Sequence, residues 1–319
     1  MSKRSILWII SISFIVIGAL IFVCTMSMLG WNFSMLEGAK FSTITKDIEG
    51  KFSNIKIYSQ TSDVRILTSE DGEARAVLSE TKKLKHDVSV QNGVLTVSVV
   101  DERSWIDRIG LNFNSPSVTL YLPKSAYGAL LAEGSTGDIE IASGLEFTSI
   151  DVTVSTADVR CFASAKNINL NATTGDLFLS DVSAESISLS ASTGDISASN
   201  LSVGGSLGAS VSTGDATFTD TRCGSFSFRA GTGDLVMTRL VSEGLLTCIT
   251  TTGDVRFEKS DAAEISITTS TGDVKGTLLS PKYFITHIDT GRGQVPETTE
   301  GGFCETTVST GDVIISIAE

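Results

Sequence analysis

Apolar or small residues alternate with polar ones in a register that repeats along most of the chain. Counted from a recurring aspartate as position zero, they fall at minus eight, minus six and minus four, then at plus one and plus three. Ile150, Val152 and Val154 precede Asp158; Ile187, Leu189 and Ala191 precede Asp195; Ile265 and Ile267 precede Asp273. Ile139 with Ile141, Leu177 with Leu179, and Val255 with Phe257 follow their own aspartates. Alternation of period two on both sides predicts two short strands per repeat, each burying one face. A looser third segment at plus six to plus eight, as in Val182 and Ala184 or Leu201 and Val203, completes the unit. Helical repeats do not fit. Segments such as Ala184 to Ser199 are rich in Ser, Thr, Gly and Asp, and their apolar residues do not recur at three and four.

Each aspartate closes the phrase Thr-Gly-Asp. The aspartates are Asp138, Asp158, Asp176, Asp195, Asp215, Asp234, Asp254, Asp273 and Asp312, with Arg292 in the slot between the last two. Nine intervals over 174 residues give a mean period of 19.3. The expected fold is all-β: a parallel, β-helix-like β-solenoid with coils of about 19–20 residues, stacked at about 4.8 Å into a rod of about 48 Å. The spacings of 20 and then 18 residues at Asp158 and Asp176 imply that length variation is absorbed in the third segment. A calcium-binding β-roll is disfavoured, because its nine-residue unit carries several glycines, whereas here one Gly-Asp pair occurs per coil.

The glycine suits an open, left-handed corner, and the aspartate can accept amide hydrogen bonds there. Threonine stands before the glycine in every phrase, where stacked hydroxyls could bond along the rod. Ala157 is the single departure from glycine; if that corner needs positive φ, Ala157→Gly should stabilise by about 1 kcal/mol. Alternation points Asp176, Asp195, Asp215, Asp234, Asp254 and Asp273 outward along one edge. Unit charges about 4.8 Å apart repel by roughly 1 kcal/mol per pair in water, so something must offset them. Amide hydrogen bonds at each corner are one answer and divalent cations between coils the other. The expectation is a weak, nonessential association with Ca²⁺ or Mg²⁺ and no dedicated metal ligands. Arg292 is expected to separate Asp273 from Asp312 and to neutralise that end of the column.

Val152, Leu170, Leu189, Phe228 and Ile267 are expected to form continuous inward columns. Cys161, Cys248 and Cys304 fall at inward slots and Cys223 in the third segment, so the cysteines read as small core residues rather than a disulfide or metal framework. The two histidines are His86 and His287, the latter expected at the surface. No nucleophile-elbow sequence supports a Ser-His-Asp centre, and the acids recur as a corner motif instead of a distinctive pair. No catalytic, cofactor or metal residue is assigned.

Residues 6–29 are 24 positions without a charge, preceded by Lys3 and Arg4. This is enough for one transmembrane helix. A cleavable signal peptide begins in the same way, but the long apolar run and the lack of an Ala-x-Ala site favour an uncleaved anchor. Lys3 and Arg4 place residues 1–5 in the cytoplasm and the rest outside. Residues 30–50 form a membrane-proximal connector, with Trp31 and Phe33 suited to the interface. Residues 51–130 hold irregular alternating strands, an Asn92-Gly93 hairpin turn and a degenerate phrase at Thr61-Ser62-Asp63, and are expected to cap and begin the rod. A separate small domain there is the alternative. Residues 131–319 are the regular repeats. They carry 10 Lys or Arg against 25 Asp or Glu, a net charge of minus 15, which disfavours nucleic acid and anionic lipid as partners.

Three features together resemble the bacterial DUF4097 family of candidate adhesins, which includes LiaG-like envelope proteins. They are the single apolar segment, the stretch from Ser117 to Lys124 (Ser-Val-Thr-Leu-Tyr-Leu-Pro-Lys), and the recurring Ser-Thr-Gly-Asp or Thr-Thr-Gly-Asp corners, spanning roughly residues 50–319. The resemblance implies a bacterial cell-membrane protein with an extracytoplasmic solenoid. The expected function is a noncatalytic, membrane-anchored module that binds or scaffolds an envelope protein or glycan. A carbohydrate-active β-helix enzyme and a purely structural spacer are the alternatives.

Overall fold

The computed structural model describes residues 3–28, 31, 41–103 and 115–318. Residues 30 and 32–40 of the expected connector, Phe33 among them, lie outside the described residues. A helix runs from Lys3 to Met28. Its Trp8–Met28 portion is apolar, 21 residues long and almost wholly exposed, so by length and composition it can cross a hydrocarbon layer of about 30 Å.

The remainder is a parallel β-solenoid of about nine turns. Each regular coil has three strand segments separated by three bends. The long segment precedes Thr-Gly-Asp, the short one follows it, and the third lies beyond a second bend. Identical positions stack: Val152 pairs with Leu170, Leu170 with Leu189, Leu189 with Ala209, Ala209 with Phe228, Phe228 with Cys248 and Cys248 with Ile267. Length variation collects at the bend after the third segment. There the pairing shifts register between Val203 and Ser206, between Cys223 and Phe226, and between Ser242 and Leu245, while the strands on either side keep a constant offset.

Stacking order departs from chain order at both ends. Strand Asn54–Gln60 lies between Val94–Asp101 and Ala126–Gly134, and Asp63–Thr68 lies between Ser117–Leu122 and Ile139–Ile141. The chain therefore makes one coil, passes outside it, and returns to build the regular coils on its other face. At the far end, Phe303–Thr310 inserts between Val255–Thr271 and Tyr283–Thr290. The outermost coil thus precedes the one beneath it in sequence. Antiparallel strands finish the N-terminal end: Ser42–Asp47 pairs with Arg75–Glu80, which pairs with Ser117–Leu122, while Leu84–Gln91 pairs with Val94–Asp101. These antiparallel additions interrupt the repeating parallel edge that would template strand addition.

Inside the rod the columns are buried and mostly apolar. Val152, Leu170, Leu189, Phe228 and Ile267 are each at most 1% exposed, as the alternation requires. Cys161, Cys223, Cys248 and Cys304 are buried free thiols, and burial raises the pKa of Cys161 and Cys304 to about 12 and that of Cys223 to about 11. Truncating Leu189 to alanine is expected to cost about 2–5 kcal/mol, against a few tenths for the half-buried neighbour Ser190. Chemical denaturation of the two variants measures the difference, and equal losses would contradict this register.

The corners correct one detail. Gly175, Gly194, Gly214, Gly233, Gly253, Gly272, Gly291 and Gly311 have φ between 134° and 150°, but Ala157 is not among the positive-φ residues. That corner uses ordinary geometry, which alanine adopts without strain. Ala157→Gly is therefore expected to destabilise by about 0.5–1 kcal/mol through unfolded-chain entropy. A higher melting temperature for this variant would show instead that the corner is strained. The phrase threonines are exposed, and among the described residues no hydroxyl of that column bonds to its neighbour.

Candidate functional site

Three places concentrate polar side chains, and the aspartate edge is the longest. In a parallel stack the identical residue lies one coil away, within reach of a carboxylate. Along the ladder each aspartate Oδ1 accepts the backbone N–H of the equivalent residue on the next coil, so the amide bonds expected at the corners run between coils. The ladder begins where Asp138 donates to Asp63 at 3.1 Å. It continues through Asp158, Asp176, Asp195, Asp215, Asp234, Asp254 and Asp273 at 2.8–3.0 Å. Asp312 donates to Asp273 at 2.7 Å, and Arg292 donates its N–H to Asp312 at 2.9 Å. Arg292 thus does not separate Asp273 from Asp312. It forms the last rung, because the coils at that end stack out of chain order.

The second carboxylate oxygens meet cations near both ends of the ladder. Arg160 reaches Asp138 and Asp158, Arg256 bridges Asp234 and Asp254 at 2.9 and 2.5 Å, Lys275 reaches Asp273 at 2.6 Å, and Arg292 reaches Asp312 at 3.0 Å. Asp176, Asp195 and Asp215 have no such partner among the described residues. Hydrogen bonds from Lys275 and from Arg292 hold the carboxyls of Asp273 and Asp312, respectively, below the usual carboxylate range. A lowered folded pKa contributes stability above the unfolded value and loses it as pH falls through the folded value. The melting temperature is therefore expected to hold from neutral pH to about pH 5 and to fall below about pH 4. Circular dichroism melts across that range test this, and a flat profile would mean that the ladder is indifferent to charge.

The second place is buried in the N-terminal cap. His86 is 2% exposed, with Nε2 2.9 Å from the Ser62 Oγ and Nδ1 3.5 Å from Glu80 Oε1. Glu80 Oε1 also accepts the His86 N–H at 2.7 Å, and the Lys46 ammonium donates to the His86 carbonyl at 3.1 Å. Burial pushes the imidazole pKa down against the pull of Glu80. The order Ser-His-Glu is that of a hydrolytic triad, but Ser62 is 0% exposed, so no substrate reaches its hydroxyl. The group instead fastens three cap strands to a corner of the first coil. His287, by contrast, is exposed.

The third place was not anticipated from the sequence. Five residues after successive aspartates, Asp181, Asn200, Asp220, Arg239 and Lys259 all take left-handed φ, between 47° and 59°. The signal was present in the run Asp-Asn-Asp, since these side chains tolerate that conformation. Asn200 donates to Asp181 at 3.1 Å, and Arg239 grips Asp220 through two bonds of 2.5 and 2.7 Å. Beside this column runs an open groove of about 560 Å³. Leu201, Val241 and Leu279 are among its apolar residues, with Arg222, Arg239 and Lys259 among its polar ones.

A membrane-length helix and a stacked parallel rod, whose polar ladder holds its coils together, define a β-solenoid protein with one candidate membrane span. The family model for Toastrack DUF4097 matches residues 52–239, and the chain belongs to that family. The match is to the family as a whole and does not resolve a LiaG-like subdivision. Among solved structures the chain is similar to a candidate adhesin from Bacteroides fragilis, with 16% identity and a TM-score of 0.46, over 74% of this chain and 97% of that one. It is also similar to a candidate lipid-binding protein from Parabacteroides distasonis, with 11% identity and a TM-score of 0.45, over 75% and 98% of the two chains. A second P. distasonis protein, a candidate adhesin, has 13% identity and a TM-score of 0.42, over 76% and 97%. A search of curated proteins finds no match.

Proposed function

We propose that the protein is a noncatalytic module of the bacterial cell envelope, held by the Lys3–Met28 helix and presenting a rigid solenoid that binds another envelope component. The observation that carries this reading is the unbroken carboxylate ladder from Asp63 to Arg292 in a chain that also contains a membrane-length apolar helix. Rungs of this kind make the rod one stiff body, suited to display. Lys3 and Arg4 are placed in the cytoplasm and the solenoid outside. Residues 51–130 serve as its cap and first turns, continuous with the regular coils of 131–319. Association of Ca²⁺ or Mg²⁺ with the aspartate edge is weak and nonessential, since Oδ1 along the ladder is already engaged by an amide.

Sedimentation of the full chain in detergent with purified wall glycan and with membrane-protein fractions tests this function. Retention without soluble products is the expected result. Release of saccharide products would favour a carbohydrate-active enzyme, and absence of retention would leave a spacer.

A further inference from the structure

We infer that the groove beside Asn200, Asp220, Arg239 and Lys259 binds a linear, phosphate-bearing polyanion. This rests on the proposed envelope-binding function and names the chemical class of its ligand.

Four observations converge there. First, left-handed φ is tolerated by Asp and Asn but is uncommon for long side chains, yet Arg239 and Lys259 adopt it at 55° and 47° on consecutive coils. An asparagine would suit the backbone better at both places, and only Arg239 returns a local ion pair, with Asp220; Lys259 has none among the described residues. Second, Arg222 and Lys259 are exposed, and neither has an acidic side chain within ion-pair reach among the described residues. Arg239 is oriented by its two bonds to Asp220. Third, the three cations and Asp220 leave this groove with a net positive charge, in a repeat region of net charge minus 15. Fourth, Arg239 and Lys259 lie one coil apart, so their charges run along the rod axis at about the strand spacing of 4.8 Å.

That geometry selects the shape of the ligand as well as its charge. Phosphate oxygens match the planar fork of Arg222, and the lysine supplies a second point charge. A narrow chain lies along the groove over Leu201, Val241 and Leu279. A flat anionic membrane would also have to approach the exposed Asp181 and Glu258, which would repel it.

The test uses the full chain in phosphatidylcholine nanodiscs, titrated with long-chain inorganic polyphosphate at about 50 and 200 mM salt. Saturable binding is expected, weaker at the higher salt. Arg222→Gln/Lys259→Asn should weaken it at least tenfold and make the salt dependence shallower, while Arg160→Gln on the aspartate edge should leave it unchanged. Lys259→Asn alone should raise the melting temperature while weakening binding, a combination that a purely structural lysine would not give. Undiminished binding by the double variant, or an equal loss in Arg160→Gln, would overturn the inference. So would tighter binding of polygalacturonate, or binding of phosphatidylglycerol vesicles with none of polyphosphate. If polyphosphate does not bind but the chain still sediments with envelope fractions, the groove assignment falls and the envelope-binding function stands.

Discussion

Replacing Gly233 with alanine is expected to destabilise the rod by at least about 3 kcal/mol, more than a glycine corner ordinarily costs. Gly233 has a φ of 140°, and its missing Cβ would fall against the carbonyl of Gly214 in the coil beneath. The nearest obstacle is backbone, so no rotamer change relieves it, and the two coils must part at the carboxylate ladder. Gly72 provides the control. It also has positive φ, at 79°, but nothing lies within 4 Å of the position a Cβ would take. Gly72→Ala should therefore cost only about 1–2 kcal/mol for the left-handed backbone alone. Denaturant melts compare the two, and hydrogen exchange should place the Gly233→Ala loss in the neighbouring coils. Equal costs would mean that the stack yields readily at this corner.

Asp261→Ala is expected to cost about 3–5 kcal/mol. The Lys282 ammonium lies 2.8 Å from Asp261, with the two side chains only 6% and 14% exposed. Ser280 Oγ accepts a further hydrogen bond from it at 2.7 Å, but a hydroxyl does not replace the lost charge. Removing the carboxylate leaves a buried cation, whereas Asp261→Ala/Lys282→Met removes both charges and should recover most of the loss. Calorimetry of the single and double variants measures the coupling. A cost below about 1 kcal/mol for the single variant would show that water reaches Lys282. The pair ties the segment entering the outermost coil to strand Val255–Thr271, so its loss should loosen that end first.

Repeat length, strand alternation and the inward columns were legible because each is local: a residue's face follows from its neighbours two positions away. The Leu189 column follows from that rule alone, whereas length variation, expected in the third segment, is taken up mainly at the bend after it. The order of stacking does not follow from it. Asp63 is bonded to an amide 75 residues away and Asp273 to one 39 residues away, and a coil's internal pattern is the same whichever coil lies beneath it. Arg292 was the available clue, since the last rung donates its amide but has no further amide to accept. The left-handed corner was overlooked because Arg239 and Lys259 hide a position that Asp181, Asn200 and Asp220 announce. The Ser62, His86 and Glu80 cluster was equally out of reach, being assembled by cap strands that lack the repeat.

The displaced coils at the two ends also decide how the molecule meets mechanical load. Traction on the C-terminus acts first on Val313–Ile317, paired along its length on one side and at Val313 and Ile314 on the other, and then on Phe303–Thr310, which is paired on both sides, so releasing that strand means breaking two rows of hydrogen bonds together. Traction from the helix peels Ser42–Asp47 and then meets Asn54–Gln60, which is gripped on both sides in the same way. A solenoid stacked in chain order would unzip from its tips one coil at a time. In this one an end coil comes away only when the rows of hydrogen bonds on both of its faces give way together.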